Sequence, residues 1–228
     1  MEKNNFTGDN SSSYIPPSGG KGATIYIIRH GETDLNKRGI VQGRGLDTVL
    51  NEYGQMQAEA FYRAYKHTCF DKIYTSTLRR THQTVDKFIK SNIPWVQYAG
   101  LDELAWGVYE GKESSVETIS AFREILENWT NGNLDFKFEG GESPNEVKNR
   151  QLEVIEKLKE NTDDRNILIC MHGRALRLLL CTLTNLPLTH MDQFPHQNTC
   201  LYKVDYDGEK FSIIDFNNTN HLKYIHST

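Results

Sequence analysis

The sequence predicts an α/β protein built on a largely parallel sheet, and three observations carry that reading. Thr24-Ile25-Tyr26-Ile27-Ile28 is a run of β-branched and aromatic residues without polar alternation, the mark of a strand buried on both faces. From Thr24 onward strand-like and helix-like stretches alternate, as they do where helical crossovers join parallel strands. A second buried run, Asn166 to Met171, ends in the same dipeptide as the first: Arg29-His30-Gly31 closes one strand and Met171-His172-Gly173 the other. Parallel sheets bind ligands at the carboxyl ends of their strands, so both imidazoles are expected at one edge.

The elements follow in order. Residues 1–22 are rich in Asn, Ser, Gly and Pro and read as a disordered leader lacking the apolar stretch of a signal peptide; residues 23–228 read as a single domain. Lys21-Gly22 follows two glycines, but no strand precedes it and the P-loop spacing is absent. After the first strand, Glu32 to Val49 is a long irregular loop with three glycines, a length that points to function. Asn51 caps a helix to about Lys66, with Tyr53, Gln57, Ala60 and Ala64 as its stripe. Asp71 to Thr75 is a short second strand. Thr77 is expected to cap the next helix, whose apolar face is Leu78, Thr81, Val85, Phe88 and Ile89. Pro94 to Tyr98 is a third strand.

Residues 100–142 are the least regular and read as an insertion, with a helix over Ser115 to Trp129 set by the spacing of Ile119, Phe122, Ile125, Leu126 and Trp129. Ser143, Pro144 and Glu146 form a capping box that opens a helix to about Glu160. Arg174 to Thr184 is the helix after the second buried strand. Asp207-Gly208, between Thr199–Tyr206 and Glu209–Phe216, signals a hairpin with a type I′ turn.

Composition narrows the function. The 228 residues, 37% hydrophobic and 25% charged, describe an ordinary globular chain, and a net charge of -4 gives no reason to expect nucleic acid. No run of about 18 apolar residues exists, so no membrane partner is expected. Cys69, Cys170, Cys181 and Cys200 form no C-x-x-C pair, which fits a reduced, cytoplasmic protein with inert buried thiols. His190, His196, His221 and His226 show no metal-ligand spacing, and neither metal nor cofactor is expected. His82 reads as an exposed helix residue. Glu32 and Glu142 fit a substrate contact and a structural role equally. Trp106 and Tyr109 read as a satellite core.

At the two strand ends, Arg29 offers forked donors suited to phosphate and His30 a nucleophile or base. The strand before Ser76 leads into a helix with Arg79 and Arg80 in its first turn, where the helix end already favours anions. The helical wheel leaves both arginines open, since each lies about 130° from the apolar face.

The ordered set Arg29-His30-Gly31-Glu32-Thr33, Asn36, Gln42-Gly43, Leu50 to Ala58, Ser76 to Thr84, Leu101 to Leu104, Glu110-Gly111, Gly140 to Ser143 and Met171-His172-Gly173 resembles the histidine phosphatase superfamily, also called phosphoglycerate-mutase-like. The resemblance implies a three-layer α/β/α sandwich in which residues 100–142 cap the substrate. It implies that His30 takes up the phosphoryl group, that Arg29, Arg80 and His172 hold its oxygens, that Asn36, Gln42 and Gly43 line the pocket, and that Glu103 is the proton donor. It selects Arg80 over Arg79 by distance from Leu78. Thr77 stands where the family has proline, and no proline precedes Leu50.

The expected activity is metal-independent hydrolysis of small phosphomonoesters. Leu101-x-Glu103, Gly107 and Glu110-Gly111 resemble the phosphatase branch and lack the Glu-Arg-His-Tyr-Gly of the mutases. Phosphoglycerate mutase is the alternative, and a non-catalytic phosphate-binding domain a third reading. The expected partner is a small phosphate ester; a homodimer stays open.

Overall fold

The computed structural model describes residues 22–160 and 163–225, so the expected leader lies, Gly22 apart, outside the described residues, as does His226. Six strands form one sheet: β1 (Ala23–Arg29), β2 (Lys72–Thr75), β3 (Trp95–Gln97), β4 (Asn166–Met171), β5 (Leu201–Tyr206) and β6 (Phe211–Asn218), in the order β3-β2-β4-β1-β5-β6. The first four are mutually parallel, and β5 and β6 run antiparallel at one side.

Handedness accounts for the layers. The chain steps outward from β1 to β2 to β3 through α2 (Glu52–Tyr65) and α3 (Arg79–Ile89). It then turns back to β4 and on past β1 to β5 through α5 (Pro144–Glu160) and α6 (Gly173–Leu183). Right-handed crossovers running in opposite directions put their helices on opposite faces. One core accordingly packs Ile28, Ile73, Leu168 and Cys170 against Phe61 of α2 and Val85 and Phe88 of α3. The other packs Ile25, Ile27, Ile167 and Ile169 against Val154 and Leu158 of α5 and Leu176, Leu179 and Leu180 of α6. β4 slots between β1 and β2, with Ile25 beside Ile167 and Ile73 beside Leu168. The His-Gly ends of β1 and β4 are therefore neighbours.

Several local expectations shift. The long loop contains a one-turn helix, α1 (Asp34–Lys37), because Thr33 and Asn36 make a reciprocal cap. The buried stripe of α2 is Gly54, Gln57 and Phe61 rather than the one through Ala64, which is exposed: tertiary packing turns the helix so that Phe61, flanked by Tyr62 and Tyr65, meets the sheet. Thr77 does not cap α3. Its amide and hydroxyl both donate to Asp102, and Asp47 reaches in from the loop to accept the Arg79 amide at 2.7 Å. α4 (Val116–Thr130) starts at Ser115 as the spacing requires, and the Ser143–Glu146 box opens α5. At the hairpin only Gly208 has positive φ (101°), whereas a type I′ turn needs it at both central residues. The Asp207 carboxylate instead accepts the amides of Glu209 and Lys210. Cys69 is exposed, the other three thiols are buried, and all are unpaired. Among the described residues no helix is long and apolar enough to cross a membrane.

Candidate active site

β1 ends at Arg29, and His30 leaves the sheet while its amide still bonds Met171 of β4 at 2.9 Å. Its side chain is 3% exposed. Nδ1 lies 2.7 Å from the carbonyl of Gly31, so Nδ1 carries the hydrogen and Nε2 keeps its lone pair. Gly31 must be glycine: a Cβ there would sit 2.7 Å from the Gly54 carbonyl, where the turn meets α2.

His172 occupies the N-cap of α6 and is fully buried. Its Nδ1 accepts from Arg80 Nε at 3.2 Å, which makes Nε2 the donor to Ser76 Oγ at 2.7 Å. The rings of His30 and His172 are 5.2 Å apart. Helical spacing left Arg79 and Arg80 equal; the fold separates them. Arg79 is exposed and pairs with Asp47, while Arg80 is fully buried and donates to the carbonyls of Leu46 (2.7 Å) and Gly43 (3.3 Å). The loop of residues 42–48 is thus fastened to the arginine beneath it. A Cβ on Gly43 would meet Glu110 Oε1 at 1.8 Å, so that side of the loop admits no side chain. Gln42 donates to Thr33 and Asn36 Oδ1 accepts from Asn198 Nδ2 at 3.2 Å, placing both at the cleft wall.

Glu103 is 7% exposed and sits at the amino end of α6. Its Oε1 accepts the amides of Leu104 and Ala175, each at 2.9 Å, and Oε2 that of Arg174 at 3.1 Å. A helix amino terminus favours a carboxylate in this position. Its backbone is held too: Arg150 donates to the Glu103 carbonyl at 3.1 Å and to both oxygens of Glu142. Arg44 bridges Glu142 and Asp102. Glu142 is therefore a bracket behind Glu103. Glu32 has a similar part, accepting from the Asn51 side chain while its amide bonds Gln57.

These groups meet at a cleft of about 280 Å³ lined by Arg29, His30, Asn36, Gln42, Glu103, Trp106, Arg174 and His196, among others. Arg80 and His172 are fully buried, with the His172 ring 5.2 Å from that of His30 in the lining. Two residues were not singled out by spacing. His196 bonds the Arg29 guanidinium through its carbonyl and faces it with Nδ1 at 3.3 Å, and its ring rests on Gly173. Asn198 ties the His30 carbonyl (3.0 Å) to Asn36. Neither belongs to a local motif. Trp106 joins the core and walls the cleft. His82 is part-buried, not exposed: its Nε2 lies 2.8 Å from the Ser76 carbonyl and its ring meets Trp95.

The electrostatics favour an incoming anion. Burial first, then the Arg80 and Arg29 charges, hold His30 well below the ordinary histidine range. Burial and Arg80 do the same to His172, and burial with Arg29 brings His196 down to about 3. All three are neutral at pH 7. Burial lowers Arg80 to about 10, which leaves it charged. Arg29 Nε is buried without an acceptor among the described residues, a donor of the kind a phosphoryl oxygen would take.

The description of the histidine phosphatase superfamily (branch 1) matches residues 25–219. The chain belongs to that superfamily. Within it, the chain is similar to putative phosphoserine phosphatase 2 of Hydrogenobacter thermophilus, 28% identical over 88% of this chain and 98% of that one. It is also similar to the probable phosphoglycerate mutase GpmB of Shigella dysenteriae, 29% identical over 80% of this chain and 84% of that one. Among solved structures, Bacillus stearothermophilus YhfR superposes with a TM-score of 0.75 at 26% identity, covering 88% of this chain and 100% of that one. The α-ribazole phosphatase of Shigella flexneri gives 0.75 at 25%, covering 86% and 96%. The six-stranded sheet between two helical layers is the superfamily's phosphoglycerate-mutase-like fold.

Proposed function

We propose that this chain is a metal-independent phosphatase of small phosphomonoesters that works through a phosphohistidine on His30. The observation that carries the proposal is a buried imidazole with Nδ1 committed to a carbonyl, beside Arg29, Arg80 and a second imidazole 5.2 Å away. Phosphoryl transfer asks chiefly for positioning and charge neutralisation. Two guanidiniums supply the latter, each about 4 kcal/mol at 4 Å and an effective dielectric near 20, before desolvation.

In this reading His30 Nε2 attacks phosphorus as the ester P–O bond breaks. The leaving oxygen takes a proton from Glu103, whose acid form the like charge of the bound phosphate favours over the carboxylate that the free site holds. Water then attacks the phosphohistidine, Glu103 accepts its proton, and phosphate leaves with both residues restored. Arg29 and Arg80 hold the phosphoryl oxygens, and His172, its Nε2 on Ser76, accepts from Arg80 and so positions that guanidinium; Asn36, Gln42 and Gly43 shape the loop beside them, and residues 100–142, with α4, cap the cleft. The absence of the mutase motif around Glu103 supports hydrolysis over isomerisation, and relatives of both descriptions match the chain.

The test is phosphate release from 4-nitrophenyl phosphate in EDTA, with acid-labile ³²P on His30 during turnover and loss of both in His30→Ala. Phosphoglycerate isomerisation outrunning phosphate release would establish the mutase instead. Binding of phosphate esters with no turnover would leave only the binding-domain reading.

A further inference from the structure

The cleft does not end at the phosphate-facing groups. It adjoins a second groove of about 350 Å³, and both hollows are lined by Gly39, Val41, Phe122 and Leu126. Ile119, Phe122 and Leu126 fall at i, i+3 and i+7 of α4, so they form one apolar stripe. At the helical rise the stripe runs about 10 Å. Only its Leu126 and Phe122 end touches the cleft; Ile119 belongs to the second groove alone.

Such a stripe ordinarily faces a core. Here Ile125 and Trp129 are the buried side of α4, Phe122 and Leu126 pack only in part against the same core, and Ile119 is 54% exposed. Tyr109 also lines the groove, its ring 5.8 Å from that of Phe122, with Lys112 4.9 Å from the Tyr109 ring centre. Among the described residues no acidic side chain lines the groove, whereas Lys112 and Arg123 do. Its surroundings therefore accept an apolar body and tolerate a neutral or anionic far end, while a cation would meet like charge.

We infer that this groove is a binding subsite for the leaving group, and that the protein prefers phosphomonoesters of extended apolar alcohols over compact polar ones. The inference rests on the phosphatase reading. The shared residues select this occupant: an ester seated at His30 whose alcohol outgrows the first hollow meets Phe122 and Leu126, the side chains that also line the second.

The experiment is a series of monoalkyl phosphates from methyl to octyl. kcat/KM is expected to rise about twofold per methylene, roughly half the factor for full burial because the groove is open on one side. The rise should level off once the chain outgrows the stripe. Ile119→Asp, at an exposed position, is expected to flatten the series and Ile119→Leu to preserve it. Equal kcat/KM across the series in active enzyme overturns the inference. If no ester is turned over, the phosphatase reading fails, and calorimetric titration of methyl and octyl phosphate then reads the groove by itself. Tighter octyl binding that Ile119→Asp abolishes supports the subsite; equal affinities overturn it. An unchanged series together with a shift from dimer to monomer in sedimentation on Ile119→Asp would make the groove a contact between copies, and would also overturn it.

Discussion

Removing Arg80 tests the electrostatic core of the site. Its guanidinium is fully buried and makes three hydrogen bonds, to His172 Nδ1 (3.2 Å) and the carbonyls of Leu46 (2.7 Å) and Gly43 (3.3 Å). Arg80→Ala deletes a charge worth about 4 kcal/mol against a phosphoryl group, so kcat/KM should fall about a thousandfold. Arg80→Lys keeps the charge but not the fork that serves three acceptors; a loss of about 10- to 100-fold is expected. A second readout separates charge from misfolding. After burial, Arg80 is the largest influence holding His30 below its ordinary range. The nucleophile acts when neutral, so activity falls on the acid side. Without Arg80 that acid limb should move to higher pH, in Lys much less than in Ala. Phosphate release measured from about pH 4 to 8 reads both effects. A folded Arg80→Ala protein that loses less than about tenfold, with its acid limb unmoved, would refute the reasoning.

Acid should unfold the protein early. His30, His172, His196 (about 3) and His221 (about 4) all lie below the unfolded value near 6.5. Stability is therefore full above that value and is lost as pH falls toward the folded ones, at about 1.5 kcal/mol each for His196 and His221 between pH 6.5 and 5, with His30 and His172 acting in the same direction; a urea midpoint unchanged over that range would contradict this. Glu142→Gln should loosen the Arg44 and Arg150 bracket behind Glu103, costing about 1–3 kcal/mol in denaturant melts and lowering kcat more than it raises KM. Gly43→Ala drives a methyl to within 1.8 Å of Glu110 and 2.8 Å of the Leu104 carbonyl. It should cut kcat/KM by about tenfold or more while costing about 1–3 kcal/mol in melts, and wild-type kinetics would show that the loop yields freely.

Where local chemistry decides, the sequence was legible. β4 runs over Asn166–Met171 as its apolar run requires, and the Ser143–Glu146 box opens α5. The repeated His-Gly ending places His30 and His172 at one edge because the strands that carry them are adjacent. Long-range partners left no local trace. Arg80 differs from Arg79 only through what packs above it, and Thr77 gave up its capping role because Asp102, 25 residues on, accepts its amide. His196 reaches Arg29 across 167 residues, and Arg44 and Arg150 converge on Glu142 from opposite sides of the insertion. No periodicity records such pairings. The Asp207-Gly208 signal located the hairpin but not its turn type, since the aspartate side chain competes for the amides that follow it.

The late arrival of β4 between β1 and β2 governs how this protein comes into being. A nascent chain that stops short of Asn166 has the His30 strand but neither its parallel neighbour nor the second imidazole, and the gap beside β2 stays open. No half-built version of the sheet has a working edge. The pairings that close it span most of the chain, which makes folding slow relative to helical proteins of this size and makes competence for chemistry arrive together with the completed sheet.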